Sequence, residues 1–253
     1  MKAAAVTRPL VEIERLSKRF GGIVPTDAVS LAIEAGELHA VIGPNGAGKT
    51  TLISLLAGEL SAQGGLIRFD GADITALPVY RRSQLGIARS FQITSLFRDL
   101  TALDNVALAV QAHRGHSFRF WRDVRGEYEL RKPAFDALVR VGLAERAGMR
   151  VDKLSHGEYR LLEIAMALAT GPRLLLLDEP MAGLGPEESA AMVQMLRQLK
   201  GNLTILLIEH DMQAVFALAD RVTVMVYGRV IACGEPAAIR ANAAVRRAYL
   251  GEE

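Results

Sequence analysis

Cysteine is nearly absent. Cys233 is the only one in 253 residues, so the chain can form no internal disulfide and no multi-cysteine metal site, which suits a reducing cytosol. Read alone, Cys233 is a small core residue. Long hydrophobic runs are missing too: the longest uncharged apolar stretches, such as residues 164–172 and 203–208, fall well short of the roughly 18 residues needed to span a bilayer. An export signal is also lacking, because Arg8 and Pro9 interrupt the short Ala-Val run after Lys2 before a hydrophobic segment forms. The expectation is a protein that stays in the cytoplasm and does not cross a membrane. Neither sign of charge dominates. Thirty basic residues against 28 acidic ones leave +2, too balanced to demand nucleic acid as the partner. No internal repeat, low-complexity segment or heptad run is visible. What the chain does have is apolar content: half its residues are hydrophobic, enough for one large domain or one core with a smaller lobe inserted.

The chain is organised around Gly43-Pro44-Asn45-Gly46-Ala47-Gly48-Lys49-Thr50, which fits the P-loop pattern G-x-x-x-x-G-K-[ST]. A strand-like run, Leu38 to Ile42, precedes it, and a helix-like run, Thr51 to Leu60, follows. Glycines let such a loop turn successive N–H groups inward at the positive end of a helix, so a polyphosphate has a seat from Gly43 to Thr51. Lys49 would bring a charge near the β- and γ-phosphates, and the Thr50 hydroxyl would ligate a bridging Mg²⁺. The plainer reading is a glycine-rich turn. A P-loop alone does not separate a kinase, a GTPase and a transport ATPase.

In chain order, Leu10 to Leu16 and then Val29, Leu31 and Ile33 alternate like half-buried strands, and Asp70-Gly71 is a hairpin signal after Leu66 to Phe69. An antiparallel β lobe beside the P-loop follows. Phe20 precedes Gly21-Gly22 in a loop, where it either stacks on a nucleobase or plugs the core; position alone favours the core. Ser90-Phe91-Gln92 closes a short strand, and helix-compatible sequence runs from Thr101 to Thr170 as a helical lobe. Its stretch from His113 to Lys132 is rich in arginine and holds Phe118, Phe120 and Trp121. That stretch reads as a solvated connection or as a docking surface for a partner protein.

Gly157 to Thr170 is helical, with Leu161, Ile164, Ala165 and Leu168 on one face and Gly171-Pro172 ending it. The run Leu174 to Leu177 then delivers Asp178 and Glu179 at the end of an apolar strand, the pattern of a central parallel strand. Pro186 starts a helix with Glu187 and Glu188 in its first turn and Met192, Met195 and Leu199 as its core stripe. Leu203 to Ile208 is another buried strand, after which Asp211 caps a helix. Arg221 to Ala232 reads as a hairpin, and a helical tail runs from Pro236 to Leu250. Asp178 is placed to hold Mg²⁺ beside Thr50, and Glu179 to orient and deprotonate a water attacking the γ-phosphate, unless the pair is merely a solvated strand end.

Leu154-Ser155-His156-Gly157-Glu158 resembles the LSGGQ signature of ABC ATPases, and the resemblance extends over nearly the whole chain. Phe20 then matches the A-loop aromatic, Gly43 to Thr50 the Walker A, Gln92 the Q-loop, Asp178 and Glu179 the Walker B, Ala182 to Gly185 the D-loop, and His210 the switch histidine. The resemblance implies an α/β P-loop NTPase core with an antiparallel β lobe and an inserted helical lobe, forming a single domain. Residues 10–92 and 172–235 would be the nucleotide-binding core with its β lobe, 93–171 the helical lobe, and 236–253 the tail. It implies a head-to-tail pair of such domains hydrolysing MgATP, with Ser155 and the Gly157 N–H completing the partner's γ-phosphate cage. His210 would contact the γ-phosphate, and Gln92 would sense Mg²⁺. His156 and Glu158 depart from the consensus, and Gly183-Leu184-Gly185 lacks the usual D-loop aspartate.

Within that family the chain looks most like ATP-binding subunits of bacterial branched-chain amino-acid importers. This rests on Arg89 to Gln92 with Leu96-Phe97, on the signature with Leu162 to Ala165, on Leu207 to Met212, and on the ending Ala248 to Glu252. The expected partners are a second ATPase subunit, the same chain or a sister, permease subunits, and indirectly a periplasmic solute-binding protein, all at the cytoplasmic face of a bacterial inner membrane. The C-terminal pattern also resembles a lipopolysaccharide-export ATPase, and the signature resembles urea and amide importer subunits. A soluble ABC protein acting on nucleic acid or ribosomes usually carries tandem cassettes or long coiled-coil insertions; this chain has one cassette and no heptad run.

Overall fold

The structure, a computed structural model, describes residues 8–90, 96–115 and 128–250, without the side chains of 249 and 250. Gln92 and Phe91 lie outside the described residues, as do Phe118, Arg119, Phe120 and Trp121 of the arginine- and aromatic-rich stretch, read as a solvated connection or a docking surface. The chain divides into two compact units, one of Met1–Arg82 with Lys200–Glu253, the other of Ser83–Leu199.

In the first unit, β1 (Val11–Phe20) and β2 (Ile23–Ile33) form a long hairpin whose inward residues, Ile13, Leu16, Val29 and Ile33 among them, are buried. β3 (Leu38–Ile42) is buried along its whole length and runs into α1 (Lys49–Ala57). β4 (Gly64–Phe69) pairs antiparallel with β1, and β5 (Ala72–Asp73) folds back on β4 through Asp70 and Gly71. Both turn residues have positive φ, 49° and 76°, as the tightest hairpin turns require. The antiparallel lobe is therefore a four-stranded sheet in the order β2-β1-β4-β5. α2 (Val79–Gln84) carries Arg82, which is 2% exposed. Its guanidinium donates to the carbonyls of Leu55 and Leu56 at 2.6 and 2.8 Å and to those of Leu77 and Thr75 at 2.9 Å each. A cation thereby closes the carbonyl end of α1, where the helix dipole favours it.

The second unit opens with β6 (Ile87–Arg89) and continues into α3 (Ala102–Arg114), α4 (Tyr128–Arg140) and α5 (His156–Leu168), which pack on one another. Thr101 caps α3 by accepting from the Asp104 N–H at 3.1 Å. β7 (Leu174–Asp178), buried throughout, pairs parallel with β6, and α6 (Pro186–Leu199) buries Met192, Met195, Leu196 and Leu199. On α5 the buried face takes in Leu162 and Glu163, while Leu161, expected inside, is only half-buried. The chain then returns to the first unit through β8 (Thr204–Ile208), α7 (Met212–Leu218), β9 (Arg221–Val226), β10 (Arg229–Gly234), α8 (Pro236–Ala241) and α9 (Ala243–Leu250). There β3 lies between β8 and β9, parallel to both, and β10 closes the edge antiparallel to β9. The Asp211 carboxylate accepts from the Gln213 and Ala214 amides, the cap expected for α7.

Two further expectations from the sequence are corrected. Cys233 is exposed rather than buried, because β10 is an edge strand whose alternating side chains turn that residue outward. Its sulfur accepts from the Thr223 hydroxyl at 3.3 Å, and Thr223 in turn lies 2.7 Å from Nε2 of the fully buried His39. Phe20 is 47% exposed and belongs to the end of β1, paired across the turn with Ile23, so it does not plug the core. Lys18 lies over its ring, 5.2 Å from the centroid.

Candidate functional site

In the first unit the loop from Gly43 to Gly48 is held by close backbone approach. A Cβ at Gly48, whose φ is +99°, would sit 1.7 Å from the Pro25 carbonyl oxygen of β2, and one at Gly43 would sit 2.1 Å from that of Met225. Only glycine fits between these walls. The Gly228 N–H, in the β9–β10 turn, donates to the Ala47 carbonyl at 3.0 Å and ties that turn to the loop. Pro44, Asn45 and Gly46 are exposed at its tip, Thr50 is exposed and Thr51 half-buried on the first turn of α1. Lys49 is 7% exposed, and its amino group donates to the carbonyls of Gly43 at 2.7 Å and Pro44 at 3.2 Å.

The start of α1 breaks the usual rules for a helix. Gly48 provides no side-chain cap, the first turn contains no acid, and a lysine stands there against the dipole. The first i→i−4 bond is from the Leu52 N–H to the Gly48 carbonyl, so the amides ahead of it point out of the helical ladder. A helix end built this way suits an anion supplied from outside, and a cation would be neutralised there through that anion. His210, in the same unit, is exposed at the end of β8; its Nδ1 is 3.8 Å from Oε2 of the buried Glu209.

In the second unit, Asp178 is buried at the end of β7 and accepts from Nη2 of Arg89 at 3.2 Å. Glu179 follows in a left-handed conformation, φ 50°, and is half-buried. Such a backbone costs a glutamate about 1 kcal/mol or more. Ser155 caps α5 by accepting from the Glu158 N–H at 3.2 Å, and Glu158 answers by accepting from the Ser155 N–H at 2.8 Å. The departure at Glu158 thus completes a capping box, and Arg146 pairs with it at 2.8 Å. His156 is exposed; a Cβ at Gly183 would come 3.3 Å from its Nε2. Sequence reasoning missed Glu188, which the structure places against this turn: its Oε1 accepts from the Gly157 N–H at 3.2 Å.

A glycine loop that opens a helix in one unit, and an acid-ended apolar strand with a capped turn in the other, stand beside what comparison with known proteins finds. Residues 26–182 match the family described as ABC transporter, and residues 229–253 match the family described as branched-chain amino acid ATP-binding cassette transporter. The chain belongs to the ABC transporter ATP-binding family. It is 39% identical to the high-affinity branched-chain amino acid transport ATP-binding protein BraF of Pseudomonas aeruginosa, over 98% of this chain and 100% of that one. Among solved structures it is similar to the ADP conformation of MJ1267, an ATP-binding cassette, with a TM-score of 0.86 and 30% identity over 97% of this chain and 100% of the other. A dimeric post-hydrolysis state of the cassette MJ0796 bound to ADP and Pi is 26% identical, with a TM-score of 0.75 over 89% and 98%. The α/β P-loop core, the antiparallel lobe and the nucleotide-binding, ATP-hydrolysing character expected of this cassette follow from that membership.

Proposed function

We propose that this cassette is the ATP-hydrolysing motor of an importer for branched-chain or related amino acids. The observation that carries the solute class is the match of its residues 229–253 to the branched-chain cassette family, alongside the likeness to BraF. Among the described residues no helix is long and apolar enough to cross a membrane. The working complex would add permease subunits, with the cassette on the cytoplasmic face of a bacterial inner membrane and a periplasmic solute-binding protein feeding the permease. Its core would be residues 10–92 and 172–235, with 93–171 as the helical lobe and 236–253 as the tail.

In this reading backbone N–H groups between Asn45 and Thr51 and the Lys49 ammonium bind the β- and γ-phosphates of ATP, and Phe20 stacks on the base. Thr50, Asp178 and Gln92 would hold Mg²⁺, which when bound neutralises charge on the β- and γ-oxygens. Glu179 orients the attacking water and accepts its proton, while His210 keeps the γ-phosphate in register. Ser155 and the Gly157 N–H of a second cassette, a copy or a sister, complete the cage. The dimeric MJ0796 cassette supports that pairing. Hydrolysis removes the shared γ-phosphate and with it the preference for the closed pair.

The test is uptake of labelled leucine by cells carrying or lacking this chain, with identification of the permease that co-purifies. Loss of uptake together with an importer permease is expected. Recovery of an export permease, or of no membrane partner, would overturn the assignment.

A further inference from the structure

The carboxylate of Glu188, on the first turn of α6, sits on the signature turn. Its Oε1 accepts from the Gly157 N–H at 3.2 Å and from the Ser155 hydroxyl at 3.4 Å, while its Oε2 accepts from the Gly185 N–H at 3.2 Å. The approach is close enough that a Cβ on Gly157 would lie 2.5 Å from Oε1. Ser155 and Gly157 are the donors assigned above to a γ-phosphate, and here one oxygen of a carboxylate accepts from both.

We propose that Glu188 is a built-in competitor for the γ-phosphate seat, an internal anion that the partner's ATP must displace before two cassettes close. The inference rests on the assignment of Ser155 and Gly157 as that seat. Two anions cannot share donors at this separation without strong repulsion, so an engaged Glu188 lowers the apparent affinity of the seat by the fraction of time it is occupied. The second oxygen extends the consequence. Because Oε2 holds the Gly185 N–H, displacement of the carboxylate also frees that donor at the end of the Gly183–Gly185 loop, so arrival of a phosphate at one turn is felt at the next.

Substituting Glu188→Gln keeps an acceptor of the same shape and removes the charge. The experiment follows backbone amide resonances of the full chain during titration with inorganic phosphate, with the amides of Gly46 and Gly48 as an internal control. The expected result is that Gly157 and Ser155 respond in Glu188→Gln at a phosphate concentration about tenfold lower than in the wild type. Equal responses in both proteins would overturn the competition while leaving the seat in place. No response at Gly157 in either protein, with Gly46 and Gly48 responding, would instead remove Ser155 and Gly157 from the phosphate role altogether. Glu188→Ala is measured alongside. If neither variant folds, the carboxylate is a structural clamp and the proposal fails.

Discussion

Gly48 and Lys49 are neighbours whose loss should be felt in different ways. Gly48→Ala adds a Cβ 1.7 Å from a backbone oxygen that cannot rotate away, at a φ of +99° that disfavours any side chain. It should cost roughly 3 kcal/mol or more and abolish nucleotide binding, read as a large fall in melting temperature together with a flat titration. Lys49→Ala keeps the glycine frame but removes the cation and its hydrogen bonds to the Gly43 and Pro44 carbonyls. Stability should fall by less than for Gly48→Ala, while affinity for ATP drops by about 2–3 kcal/mol, the range for hydrogen bonds to charged groups. Unchanged affinity in isothermal titration would exclude this loop as the phosphate seat.

Helices α1 and α5 make separate demands. Arg82 seals the carbonyl end of α1 from 27 residues away, so Arg82→Ala should leave Leu55 with only the Gly58 N–H at 3.3 Å, take the guanidinium from the Leu56 carbonyl, and cost about 3 kcal/mol in chemical denaturation. A loss under 1 kcal/mol would mean that water replaces the guanidinium. On α5, Glu163 is 8% exposed; burial pushes its carboxyl up, opposed by Arg160, whose Nη1 lies 3.2 Å from Oε2. A carboxyl raised in the folded state binds its proton more tightly there than in the unfolded chain. Its favourable contribution is complete below the ordinary glutamate range and is lost as pH rises through the folded value. Glu163→Gln should therefore melt higher than the wild type at pH 8, and the difference should vanish toward pH 4. A constant difference across that range would show that charge is not the cause.

For the assembled protein, Glu179→Gln should bind MgATP normally yet hydrolyse it at least about a hundredfold more slowly, since the amide keeps shape but cannot accept the water's proton. Removing one carboxylate also relieves repulsion against the γ-phosphate, so an ATP-dependent dimer should accumulate on size-exclusion chromatography, with the sister cassette supplied if the chain does not pair with itself. Near-normal phosphate release would take Glu179 out of the base role. The stretch from His113 to Lys132 is tested by alanine at Arg114, Arg119 and Trp121. ATPase activity should persist while permease association is lost; if association persists, the stretch is a solvated connection. Within the described residues, Arg114 donates to the Glu129 carbonyl at 3.0 Å.

Some features of this chain were decided by neighbours in sequence. The spacing of glycines before Lys49, the Asp70-Gly71 turn, the Asp211 cap and the apolar run into Asp178 each act over a few residues, so residue type alone specifies them. The capping box was legible in the same way, from Ser155 and Glu158, although the comparison with a consensus marked Glu158 only as a departure. Other features required the chain to fold. Which side of β10 carries Cys233, and whether the end of β1 is covered at Phe20, depend on which strands lie alongside, because an alternating pattern does not say which surface of an edge strand meets solvent. Arg82 reaches Leu55 and Glu188 reaches Gly157 across 27 and 31 positions. A charged side chain at such a distance finds its partner only after apolar burial has set the backbones in place, so its hydrogen bonds leave no local trace in the sequence.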